Sequence, residues 1–74
     1  MYQNGNNDMM TFEATFKNEI DAKRAFDIAN DMYPMFNPRI DGCRVTTSSN
    51  IYDPDEVTID WVNAGLNDYT WRYT

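Results

Sequence analysis

A chain of 74 residues with twelve Asp and Glu against six Lys and Arg carries a formal charge of -6, and it holds no His and one Cys. At about this size folding hides only roughly 60% of the unfolded chain's surface, which predicts one small core and excludes a second lobe or a deep cleft. Without imidazole the commonest general base is missing, a lone Cys43 supports neither a Cys/His zinc set nor an internal disulfide, and the acidity opposes direct contact with nucleic acid or an anionic membrane.

With 42% hydrophobic and 15% aromatic residues the chain is too rich in apolar surface to be disordered on composition, so it is expected to fold. Residues 1 to 8 read as a flexible, Asn-rich tail, and 9 to 74 as a single domain. The start lacks the basic and apolar segments of a signal peptide, and no stretch approaches the ~20 apolar residues of a membrane span, so a cytoplasmic protein is expected.

From Met10 to Lys17 apolar and polar residues alternate strictly, predicting a half-buried strand with Met10, Phe12, Ala14 and Phe16 inward. Asn18 then stands three residues before Asp21, an N-cap followed by acids in the first turn, and opens a helix whose apolar stripe is Ala22, Ala25, Phe26, Ala29, Met32 and Tyr33. Pro34 ends it. Met35 and Phe36 are expected to fold back under the helix, and Ile40 to Thr47 to form a second strand with Asp41-Gly42 as a bulge or early turn and Cys43 and Val45 inward. Glu56 to Asn63 alternates Val57, Ile59 and Trp61 with Thr58, Asp60 and Val62 and reads as a third strand. After the turn at 64 to 68, Tyr69, Trp71 and Tyr73 mark a fourth.

The expected fold is therefore α+β, a two-layer β-α-β-β-β arrangement whose antiparallel-rich sheet has one helix on one face. Its core would gather Phe12, Phe16, Phe26, Ala29, Val45, Ile59 and Trp61, and its wet face Thr11, Glu13, Thr15, Arg44, Thr58, Asp60, Thr70 and Arg72. Pairing the last two strands with Trp61 facing Trp71 would set Asp60 opposite Arg72 and Thr58 opposite Thr74.

Two features could carry function. Asp53, Asp55 and Glu56 form the densest acidic spot, and the helix adds Asp27 and Asp31. The plainest reading of Asp53 to Glu56 is a solvated loop. It lacks the spacing, the sharp-turn Gly and the downstream Glu of a calcium loop, and an exposed turn offers no desolvation to split two carboxyl pKa values, so no metal, cofactor or catalytic role is expected. Acids at i and i+4 on a helix, roughly 6 Å apart, do approach the spacing of phosphates along a nucleic-acid strand. The second feature is the aromatic set. Phe12, Phe16, Phe26, Trp61 and Trp71 are read as core, and Tyr33, Phe36, Tyr52 and Tyr73 as candidates for a contact surface.

In size, charge, ring content and short β-α-β-β order the chain resembles the small acidic proteins with which bacteriophages disable host machinery, some of which mimic DNA. That resemblance implies an inhibitor, not an enzyme, that occupies the basic nucleic-acid site of a host protein such as a nucleoid-associated protein, nuclease or polymerase. The expected contact residues are Asp53, Asp55, Glu56, Asp27 and Asp31, and a homodimer is expected because doubling the charge would strengthen the mimicry and bury surplus rings. The alternative is a protein-protein interaction module that docks through its aromatic surface.

Overall fold

A computed structural model describes Met9–Thr74, and the expected tail over residues 1 to 8 lies outside the described residues. The chain runs through β1 (Met10–Phe16), α1 (Glu19–Met32), a 3-10 turn (Pro34–Phe36), β2 (Arg39–Asp41), β3 (Arg44–Ser49), a second 3-10 turn (Pro54–Glu56), α2 (Val57–Asn63) and β4 (Tyr69–Tyr73). The sheet order is β2-β3-β1-β4, antiparallel at every pairing. Thus α1 joins two strands with β3 inserted between them, and α2 joins two with β1 between them, the split β-α-β plan. The α+β class is as expected, with two helices where one was foreseen.

Local chemistry explains most of the boundaries. Asn18 accepts the Asp21 backbone N–H at 2.8 Å with its side-chain oxygen, the expected N-cap, and Pro34 stops α1 after Tyr33. The second expected strand is two strands joined by Gly42-Cys43, with Gly42 at φ +63°, a backbone region that costs glycine nothing. Cys43 therefore sits half-buried in the turn, and Val45 alone of the two faces fully inward.

The third expected strand is a helix. Val57, Trp61 and Leu66 are buried whereas Ile59 is 59% exposed, so the alternation of Val57, Ile59 and Trp61 has no structural meaning and the i, i+4 spacing of Val57 and Trp61 does. Pro54 sits in the first helical turn beside Asp55 and Glu56, where a missing N–H costs nothing and carboxylates meet the positive end of the dipole. At the other end Gly65, at φ +82°, donates its N–H to the Val62 carbonyl at 3.0 Å and Leu66 donates to that of Trp61 at 2.8 Å, the paired bonds of a Schellman cap. Trp61 and Leu66 also share the core, which supplies the apolar contact such a cap favours.

Three alanines, Ala22, Ala25 and Ala29, face the sheet from α1 and are fully buried, so the helix backbone lies close against Phe12, Ala14, Phe16 and Val45. Trp61 seals the layer: its ring stands 5.2 Å from Phe16 and its indole N–H donates to the Ala25 carbonyl at 3.0 Å, tying α2 to α1. Thr47, buried on β3, donates its hydroxyl to the Pro54 carbonyl at 2.8 Å and pins the start of α2 to the sheet. Of the expected core, Phe26 is only half-buried against it and Ile59 lies outside it, while Met10 and Met32 are exposed.

Candidate protein-binding faces

Alternation along the strands sends Arg39, Arg44 and Arg72 to the face of the sheet opposite the helices, among Thr11, Thr15, Thr46, Ser48 and Thr70. Glu13 stands at the middle of this face, mostly covered, and accepts from Arg72 at 3.2 Å with Arg44 3.9 Å away. The expected Asp60–Arg72 pair does not form, because Arg72 lies opposite Glu13 in the β1–β4 register and Asp60 belongs to α2. Thr58, likewise on α2, does not face Thr74, which instead donates its N–H to the Thr11 carbonyl at 2.9 Å.

The acids are sorted the other way. Among the described residues only Glu13 and Asp41 lie on strands, and the remaining carboxylates sit on helices, 3-10 turns and loops. Asp27 and Asp31, one turn apart on α1, line a shallow groove of about 440 Å³ whose opposite wall brings Asp60 from α2, with Ile28 and Met32 along the floor and rim. Lys23 partly neutralises it by an exposed pair to Asp27 at 3.0 Å.

Next to Asp60, outside the groove lining, stands Tyr33. Hydrogen bonding of its hydroxyl to the Asp60 carboxylate, then burial and the charges of Asp60 and Glu56, push its pKa up to about 12, so the hydroxyl keeps its proton and bridges the acidic groove to a second depression. That depression, about 330 Å³, is lined by Tyr33, Met35, Phe36, Tyr52 and Glu56. Tyr33 and Phe36 stack there with ring centres 5.3 Å apart and an interplanar angle of 12°. Three of the four expected surface aromatics thus meet at one place, although Phe36 is nearly buried and forms the floor while the exposed Met35 and Tyr52 form the walls.

The five expected contact acids consequently divide. Asp27, Asp31 and Glu56 join one ribbon through Asp60 and Tyr33. Asp53 and Asp55 act instead on Tyr73, where burial, then the Asp55 carboxylate and then Asp53 raise the pKa of the phenol. The expected hairpin places Asp60 on the wet face of the sheet and so hides it as a groove residue. Its signal was the i+4 step from Glu56, legible only once the segment is read as helical. Among the described residues no set of three His, Cys, Asp or Glu side chains is placed to hold a metal ion, and no helix is long and apolar enough to cross a membrane.

Trp71 is expected in the core and is instead 60% exposed. It shares the inward face of β4 with Tyr69 and Tyr73 and stands 5.7 Å from Phe12 and 6.2 Å from Tyr73 between ring centres. Comparison of the chain with protein-family models, with curated proteins and with solved structures finds no match.

Proposed function

We propose that this protein is a small acidic inhibitor that works in the cytoplasm, occupying the basic nucleic-acid-binding site of another protein by charge mimicry of DNA. The observation that carries this reading is the clustering of carboxylates: Asp27, Asp31 and Asp60 line one groove and Glu56 the depression beside it, while three of the six bases, Arg39, Arg44 and Arg72, lie on the opposite face of the sheet and Lys23 and Arg24 share α1 with the acids. A groove with three carboxylates on its walls has a net negative field, which steers a basic site toward it. Asp27 and Asp31 repeat at i and i+4 along one wall of the groove and Asp60 stands on the other, while Glu56, four residues before Asp60, lines the neighbouring depression.

The natural test is competition. Against a nucleoid-associated protein loaded on a fluorescent duplex, the wild-type chain should release the duplex at low salt and lose this ability steeply as ionic strength rises. Asp31→Lys with Glu56→Lys should raise the competing concentration about tenfold or more, whereas Asp41→Lys, at the sheet edge, should change it little. Failure of the wild-type chain to displace the duplex at low salt from any of a panel of basic DNA-binding proteins sinks the proposal.

A second reading is favoured by the depression under Tyr33, where exposed Met35 and Tyr52 flank stacked rings. Here the chain is an interaction module that takes an apolar side chain of its partner into this site. Binding of that kind should be nearly indifferent to salt and should be lost on Tyr52→Ala together with Met35→Ala.

A further inference from the structure

Every second residue of β4 turns its backbone toward β1, and the others turn theirs outward. Thr74 donates to Thr11, which makes that pair, and with it Glu13–Arg72 and Thr15–Thr70, the hydrogen-bonded pairs of the ladder. The other side of β1 agrees, since Phe16 donates to Cys43 and so bonds toward β3. The N–H and C=O groups of Tyr69, Trp71 and Tyr73 therefore face away from the sheet, and nothing among the described residues pairs with them.

We propose that a second copy of this chain pairs antiparallel with β4 about a two-fold axis at Trp71, joining the two sheets into one. The order of side chains is what selects a second copy. Tyr69-Thr70-Trp71-Arg72-Tyr73 is close to a palindrome, so the two-fold sets Trp71 opposite Trp71 of the second copy, Tyr69 opposite its Tyr73, and Thr70 opposite its Arg72. Rings meet rings on the helix side, no like charges stand directly across on the other side, and the outward N–H and C=O groups of Tyr69, Trp71 and Tyr73 all find partners. The edge is free of proline, of lysine and of bulges, its single charge, Arg72, is paired with Glu13 on β1, and its inward face exposes Trp71. The contact is isologous, so it closes at two copies and leaves β2 on both outer edges.

Sedimentation equilibrium combined with amide hydrogen exchange tests this. The average mass should climb toward twice that of the monomer as concentration rises, and the amides of Tyr69, Trp71 and Tyr73 should become protected with assembly, while those of Thr70 and Arg72, already bonded to β1, are protected throughout. Trp71→Lys should raise the dissociation constant at least about tenfold by setting like charges across the axis, and Ile20→Lys, on the exposed side of α1, should leave it unchanged. Since both copies are acidic, added salt should not weaken the pairing, which separates this result from the salt-sensitive competition with DNA. A chain that stays monomeric up to about 1 mM, or a dimer in which those three amides exchange freely, overturns the proposal.

Discussion

At one edge of the sheet β2 is three residues long, follows directly on Pro38 and carries Arg39 and Asp41, while at the other β4 runs five residues with three rings and no proline. The helices treat the two edges just as unequally. α1 spans 14 residues, roughly 21 Å, and packs on β1, β2 and β3, whereas α2 spans 7 residues, roughly 10 Å, and is spent on reaching α1 and on covering Phe12 and Phe16 with Trp61. Ile40 on the β2 edge therefore packs against the core, whereas Trp71 on the β4 edge, pointing to the same side of the sheet, is left largely in water. Helix length thus decides which edge strand has a covered face.

The most severe way to disturb this arrangement is Trp61→Ala. It removes the fully buried ring that joins α2 to the sheet and the indole bond to Ala25, and should cost about 3–5 kcal/mol, comparable to the whole stability of a small domain. Urea unfolding followed by circular dichroism reads it directly; a midpoint close to that of the wild type would mean that α2 is dispensable to the sheet.

Paired substitutions at the two edges test the comparison itself. Phe26, half-buried beside Ile40, should cost about 2 kcal/mol on truncation to Ala, and Trp71 under about 1 kcal/mol when measured below the concentration at which the chain associates. If Trp71→Ala proved the costlier of the two in dilute solution, the β4 face would be covered by something other than the described residues.

Backbone conformation offers a finer probe. Gly42 turns the chain into β3 on the guarded side and Gly65 caps α2 ahead of the open strand, both at positive φ with no neighbour within 4 Å of an added Cβ. Each Gly→Ala change should cost about 1 kcal/mol from backbone strain alone, and Gly65→Asn should recover part of it. Thermal denaturation of the variants would show whether the two sides bear that strain equally.

The smallest expected effect lies in alkali. Tyr33, Tyr69 and Tyr73 all hold their protons more tightly in the folded chain than at the ordinary tyrosine value of 10.0, Tyr33 to about 12. A raised folded pKa contributes stability that is complete below pH 10 and is lost as pH rises toward 12. Unfolding free energy measured across that window should fall, and Tyr33→Phe should make the fall shallower. An unchanged slope would detach Tyr33 from Asp60.

How far the residues alone foretell this molecule depends on whether one pattern or two fit a segment. β1 and α1 carry a single consistent signal each, strict alternation in one and an Asn18 cap, apolar stripe and Pro34 stop in the other, and both elements appear where expected, although Met10 and Met32 are exposed and Phe26 is only half-buried. Val57 to Trp61 fits a period of two and a period near 3.6 at once, and its β-branched residues favour the strand. The terminal signals, Pro54 followed by acids and Gly65 followed by Leu66, do favour the helix, but they are short and also describe ordinary turns.

The sequence by itself determined the α+β class, the sites where α1 begins and ends, the burial of Phe12, Ala14 and Phe16 on β1 and the excess of acid over base, because each depends on composition or on neighbours within a few positions along the chain. Only the tertiary structure decided that residues 57 to 63 coil, since Trp61 reaches the Ala25 carbonyl and the core only from a helix, and that Asp60 joins Asp27 and Asp31 instead of Arg72. It also decided that Trp71 is exposed, because whether an apolar face is covered depends on how far a helix elsewhere in the chain extends over it.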